Sequence, residues 1–307
     1  MTENTPIITI TCVRDLALLD LQAQSIFNFL DHSCPVYLVV NEAEPSAWLE
    51  YFNTHLRKYY VNHSLKILFR ASFGNEWNQW IPSPVNPWAV GWETQQILKL
   101  AIAQHLDSNA YLILDSQNFL IQGWSPDQYE LAENKIPCRT GHYVMPNGIW
   151  EQYSASLGAN VAPNLDTMTA FPATPVFLHT GLVQSLIDLK GGIEKFTTWF
   201  KNASRVKSEF ILYAVWVEHL GGLKRVHQCV EDWANPYLRD SGTFAEDFEK
   251  FIDFIGVHKP HAWISVNHRS WGDMTDEQYQ RLTVRLSEYN LVPHFDEYRS
   301  TYVDIKI

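Results

Sequence analysis

Along the first third of the chain, two patterns of apolar and polar residues alternate. Residues 7–13, from Ile7 to Val13, are β-branched and apolar on both faces, as in a strand buried in a parallel sheet. Asp15 then stands where a helix cap belongs, and Leu19, Ile26, Phe27 and Leu30 recur at roughly helical spacing. Pro35 introduces a second strand, Val36 to Val40, which stops at the polar pair Asn41 and Glu42. Ser46 to Tyr59 reads as one amphipathic helix and Leu65 to Phe69 as a third strand. Strands alternating with helices in this way are βαβ units, and right-handed crossovers then build a parallel sheet.

Between Ala71 and Val90 the rhythm breaks. Pro82, Pro84 and Pro87 lie among Trp77, Trp80 and Trp88, so regular structure cannot run through the segment. Gly91 to Leu106 resumes as a helix with Ile97, Leu100, Ala101 and Leu106 on its apolar side. The strongest strand signal follows, Tyr111 to Leu114, and runs directly into Asp115. The second half is less regular. Helices over 182–189 and 209–220 are each closed by a glycine pair, Gly191 with Gly192 and Gly221 with Gly222. Ser208 is placed to cap the second helix, and Thr275 with Gln278 has capping-box spacing before a helix that runs to Tyr289. No repeat or flexible linker divides the chain. The expectation is one α/β domain over 1–307, with residues 1–120 as the ligand-binding half and 121–307 as a second, irregular half.

Composition narrows the function class. Lys+Arg 23 against Asp+Glu 34 leaves a net charge of −11, and no basic cluster tracks a phosphate backbone, so no nucleic-acid partner is expected. The chain is 46% hydrophobic, enough for a large core. Its most apolar window, Phe210 to Val217, is too short to cross a bilayer, so no transmembrane segment is expected. Met1 to Pro6 does not read as a secretory signal. The four cysteines, Cys12, Cys34, Cys138 and Cys229, lack CxxC spacing and read as reduced thiols of a cytoplasmic protein. No GxGxxG follows the first strand and no GxSxG elbow occurs, which argues against a dinucleotide dehydrogenase or a serine hydrolase.

Candidate chemistry concentrates in residues 91–118. Gln95 and Lys99 are four residues apart and share a helical face, with Gln96 and Lys99 neighbours at three. Asp115 ends a buried strand, where open parallel sheets bind their ligands. A carboxylate there can hold a cation or a ribose hydroxyl, and Lys99 can neutralise phosphate. Each has an ordinary alternative, a turn residue for Asp115 and a solvated helix residue for Lys99.

The run Trp92 to Leu100 (WETQQILKL), the strand YLILD and the Asp115-Ser116-Gln117-Asn118 that follows resemble the central region of GT-A-fold glycosyltransferases. More narrowly they resemble a bacterial family with a GWxxQQxLKL…YLILDSxN hallmark. The resemblance implies a Rossmann-like α/β/α sandwich with a mostly parallel sheet. It also implies transfer of a sugar from a UDP- or GDP-linked nucleotide sugar to a glycan, lipid-linked glycan or protein acceptor, in glycan or surface polysaccharide synthesis. In GT-A enzymes the strand-end motif is Asp-x-Asp, which holds Mn²⁺ or Mg²⁺ on the donor diphosphate. Here the second Asp is Gln117, a neutral ligand that weakens a hard-cation site. The implied donor-binding set is Asp115, Gln117, Asn118, Lys99, Gln95 and Gln96, with Arg14 and Asn41 at the ends of the first two strands. His268, in a strand-like run, would complete the metal shell with Asp115 and Gln117, and His258 and His261 compete for that place. Glu209 is the implied acceptor-side carboxylate and Asp166, in a polar loop, a second candidate base. Two alternatives stand beside this reading: a nucleotide-sugar hydrolase, and a catalytically inactive nucleotide- or glycan-binding protein of the same fold.

Overall fold

The computed structural model describes residues 5–42, 45–74, 87–129, 131–139, 148–164, 166–167, 170–171, 173–204, 207–230, 236–238, 244–256 and 263–293, with 87–90 and 268–269 as backbone. The strands in chain order are β1 (Ile7–Thr11), β2 (Val36–Val40), β3 (Leu65–Phe69), β4 (Ala110–Asp115), β5 (Asn118–Leu120), β6 (Ile136–Cys138), β7 (Val176–His179), β8 (His227–Cys229), β9 (Tyr237–Leu238) and β10 (Trp263–Val266). Five of them form the central sheet in the order β3-β2-β1-β4-β7. The first four are parallel, with Ile7 opposite both Val36 and Leu112, and Leu38 opposite Ile67. Their order reverses at β1, which places β1 and β4 side by side at the centre, and ligands of such sheets bind outside the carboxyl ends at that point. β7 closes the sheet antiparallel to β4, with Tyr111 opposite Leu178.

Three apolar clusters sandwich these layers. One face of the sheet packs Ile8, Ile10, Tyr111 and Ile113 against helices 149–157, 180–189, 193–203 and 209–219. The other face packs Ile7, Val36, Leu112 and Leu114 against Leu19, Ala23 and Ile26 of the Leu16–Phe29 helix. That helix is buried a second time: Leu18 and Leu21 face a small β5-β10-β9 sheet and helices 244–256 and 276–287. This double burial explains why its apolar residues spread around the axis instead of forming one stripe.

The sequence reading holds for the four parallel strands and for several helix ends. Ser208 accepts from the Ile211 N–H, and Thr275 and Gln278 form a reciprocal capping box. Three readings are corrected. Asp15 does not cap: it closes a 3-10 turn over Val13–Asp15 with helical backbone angles, and its carboxylate accepts from the Cys12 thiol instead. The segment 46–59 is not one α-helix, because after Tyr51 it widens to a π turn (Phe52–Leu56) and tightens to a 3-10 turn (Arg57–Tyr60). That winding buries Trp48, Phe52, Leu56 and Tyr60 together against the sheet. The strand-like run at 264–269 ends at Val266, and His268 opens a short helix. Most of the Trp- and Pro-rich segment, 75–86, lies outside the described residues.

Candidate functional site

Asp115 ends β4 at the centre of the sheet, and the turn that follows it is locked from several sides. The Asn118 side-chain oxygen accepts the Asp115 N–H at 2.7 Å, the Ser116 hydroxyl donates to the Ile10 carbonyl, and Gln22 donates to the carbonyls of both Asp115 and Asn118. The nitrogen of Asn118 is spent on the Thr174 carbonyl and the Ser265 hydroxyl. Asn118 is fully buried. This corrects its expected donor-binding role: with its amide used inside the protein, it sets the turn.

The turn presents the Asp115 carboxylate to a cluster built on two helices. Lys99 Nζ lies 2.9 Å from Asp115 Oδ1 and 3.0 Å from Glu209 Oε1. Gln95 Nε2 donates to Asp115 Oδ1 at 3.2 Å, and the Thr174 hydroxyl donates to Oδ2 at 2.8 Å. The Gln96 amide faces Glu209 and donates to its carboxylate. Helical spacing explains the arrangement, since Gln95, Gln96 and Lys99 lie within one turn of each other on one side. The Lys99 ammonium also stands 5.2 Å from the centre of the Phe210 ring.

Burial sets the electrostatics. The side chains of Lys99 and Glu209 are 4% and 2% exposed, that of Asp115 24%. Desolvation alone would lower the Lys99 pKa, but attraction from Asp115 and Glu209 outweighs it and holds the ammonium above its ordinary value. The same burial raises Glu209 against the pull of Lys99. Paired charges of this kind survive burial because each compensates the other's desolvation. Glu209 sits behind Lys99 as its charge partner, buried away from the open edge of Asp115.

The remaining candidates spread apart. Arg14 is exposed at the end of β1, and Asn41 donates from its side chain to the Gly91 carbonyl at 3.1 Å, tying β2 to the helix that carries Lys99. Gln117 lies partly exposed on the turn beside Asp115. Asp166 is exposed and follows Asn164, which together with Thr167 bonds Glu218 at the far end of the 209–219 helix. Nine residues of helix span about 13 Å, so Asp166 does not join Glu209 and Asp115 as a base. The side chains of His258, His261 and His268 lie outside the described residues.

Whether this set suits Mn²⁺ or Mg²⁺ follows from the carboxylate's contacts. An ionised carboxylate offers roughly four acceptor positions, and three on Asp115 are taken, one by an ammonium. Gln117 is neutral, and among the described residues no three His, Cys, Asp or Glu side chains come together for a metal. A divalent ion such as Mg²⁺ takes about six oxygen ligands and is commonly held by one or two carboxylates together with waters and substrate phosphates. With Asp115 already bonded to Lys99, the described residues by themselves do not form a site for a resident divalent ion.

Two contacts of the Asp115 turn and one buried arginine escaped the sequence reading. Gln22 and Thr174 approach Asp115 only through folding. Arg139 bonds the residue before Thr174. It is 9% exposed, its Nη2 donates to the Ala173 carbonyl at 2.6 Å, and its Nε is without a partner. Desolvation lowers its pKa to about 10. No carboxylate pairs with it among the described residues. No local pattern marks these residues; the one available signal was polarity, that of Gln22 inside an apolar helix.

Solved structures share this architecture. Galactosyltransferase LgtC, in complex with donor and acceptor sugar analogs, matches with a TM-score of 0.52 at 12% identity, over 97% of this chain and 100% of that one. An active-site mutant of LgtC gives 0.54 at 14% identity over 97% and 100%. The bifunctional glycosyltransferase WbbM gives 0.53 at 12% identity over 98% of this chain, which spans 52% of WbbM. No curated protein matches. At these identities the likeness establishes the fold, which is that of the GT-A glycosyltransferases. Within that fold a family model covers residues 11–273, and the chain belongs to the family it describes, the family of unknown function DUF6492.

Proposed function

We propose that the protein transfers a sugar from a nucleotide-diphosphate donor to a hydroxyl acceptor in glycan or surface polysaccharide synthesis. One observation carries the reading: a partly exposed carboxylate, Asp115, is held by a buried ammonium at the carboxyl end of the central strands of a GT-A fold. Lys99, Gln95 and Thr174 fix the carboxylate's orientation, leaving its open edge to accept hydrogen bonds from hydroxyls of the donor. Such pre-set polar groups lower a barrier because they need not reorganise during the reaction. Arg139 supplies a cationic partner for the diphosphate. A buried guanidinium with no counter-charge among the described residues gains most from a bidentate oxyanion, and its Ala173 contact adjoins the Thr174 that touches Asp115. In this reading the neutralising charge comes from the chain itself and transfer needs no divalent ion.

The test is calorimetric titration with UDP- and GDP-sugars on the full chain and on Asp115→Asn and Arg139→Gln. The reading expects saturable binding to one donor, weakened tenfold or more in each variant, about 1.4 kcal/mol. Wild-type affinity in both folded variants sinks the assignment. The neutral Gln117 favours a second reading, a nucleotide-sugar-binding protein without turnover. Donor binding with neither transfer nor hydrolysis would select it.

A further inference from the structure

Cys138 and Cys229 are 91 residues apart in sequence, yet β6 and β8 pair in parallel with these two cysteines as Cα partners. Paired strands run about 4.8 Å apart, within the Cα separation that a disulfide spans. Both residues are free thiols, and their sulfurs approach to 3.1 Å. Their surroundings differ: Cys229 is exposed, and Cys138 is buried.

We propose that this pair is a reversible oxidation site, which a hydroperoxide converts into a Cys138–Cys229 disulfide. The exposed Cys229, as thiolate, attacks one peroxide oxygen. The O–O bond breaks, the other oxygen leaves as water or alcohol after taking a proton, and Cys229 becomes a sulfenic acid. The Cys138 sulfur then displaces the sulfenic oxygen and surrenders its thiol proton, and a water molecule leaves. Two thiols lose two electrons and two protons, and the peroxide gains them. The order of events follows from access. Burial pushes the Cys138 thiol far above its ordinary pKa and keeps it from attacking first, while its sulfur, 3.1 Å from that of Cys229, is placed to resolve the sulfenic acid.

The bond would brace the two segments that support the Lys99 bridge. Cys138 adjoins Arg139, which holds the Ala173 carbonyl next to the Thr174 on Asp115. Cys229 ends the strand whose His227 contacts the Tyr213 hydroxyl at 2.9 Å, in the helix that begins at Glu209.

The full chain, purified under reductant and freed of it, is exposed to hydrogen peroxide. Its thiols are then counted after denaturation, and its peptides mapped without reduction. Two of the 4 cysteines should disappear from the count and return with dithiothreitol. The map should show a Cys138–Cys229 link, and the oxidised chain should melt roughly 5–10 °C higher, since the closed loop is long. Cys229→Ser should abolish the link. Cys138→Ser should leave Cys229 as a sulfenic acid that dimedone traps. An undiminished thiol count, a link through Cys12 or Cys34, or a dimedone adduct on wild-type Cys229 beside a free Cys138 each overturns the proposal.

Discussion

The side-chain amide of Gln22 donates to the backbone carbonyl of Asp115 at 2.8 Å, across 93 residues of sequence. The same nitrogen reaches the Asn118 carbonyl at 3.0 Å, and its oxygen accepts from the Thr9 hydroxyl at 2.8 Å. One glutamine thereby ties the Leu16–Phe29 helix, β1 and the turn after β4 into a single unit. The carboxylate of Asp115 is aimed by that unit as much as by its own strand.

Replacing Gln22 by Leu keeps the volume and leaves two carbonyls and a hydroxyl short of partners in the interior. Buried polar groups without partners cost about 1–3 kcal/mol each, less where neighbours relax. Chemical denaturation of Gln22→Leu should show a loss of about 2–4 kcal/mol. A loss below about 1 kcal/mol would mean that the turn holds without it.

The Lys99 bridge makes a prediction about pairs. Lys99→Met leaves two carboxylates in the interior without their cation, and breaking a buried ion pair costs about 3–5 kcal/mol. Adding Glu209→Gln removes one of the stranded charges. The double variant should be more stable than the sum of the single losses by about 1–3 kcal/mol. Strict additivity in the denaturation cycle contradicts the bridge.

Donor binding and turnover should survive chelation. With Lys99 on the carboxylate and Gln117 neutral, prolonged EDTA treatment followed by gel filtration is expected to change neither by more than twofold. Manganese titrated into the free protein should give no saturable heat at micromolar concentrations. A loss of activity that Mn²⁺ alone restores would show that an ion displaces Lys99 from Asp115.

His227 links stability to acid. It is buried against Tyr213 and Phe171, and desolvation lowers its pKa from 6.5 to about 3. Below pH 6.5 the unfolded chain takes up a proton that the folded chain refuses. Stability therefore falls as pH drops from 6.5 towards 3, by about 1.4 kcal/mol per unit for this group. Asp15, raised by burial to about 6, acts in the opposite sense between about pH 4 and 6. The readout is therefore a difference: between pH 6.5 and 4 the parent should lose about 1.4 kcal/mol per unit relative to His227→Asn as the pH falls. Equal slopes would place a charged imidazole in the folded state.

Residues 7–11, 36–40 and 110–114 declare themselves as strands because a strand buried on both faces needs a continuous apolar run. Residues 65–69, the half-buried edge strand, do so because their apolar run is short and bounded by polar residues. Both are local properties. Helix ends at Ser208 and Thr275 are equally legible, since a cap acts on backbone groups two or three residues away. The spacing of Gln95, Gln96 and Lys99 is enough by itself to bring three side chains together, because a helix converts spacing into a face.

Tertiary structure decided what those residues face. That Lys99 meets Glu209 as well as Asp115 depends on how two helices cross a sheet, and this makes Glu209 a buried counter-ion of Lys99. Gln22 and Thr174 reach the site from distant segments, and nothing within a few residues of either encodes that approach. The cysteines show the same limit. Their irregular spacing argued for scattered thiols, yet the register between β6 and β8 sets two of the sulfurs 3.1 Å apart. Strand pairing is a long-range contact whose partner is chosen by the fit of the whole core, so proximity across the sheet is absent from spacing along the chain.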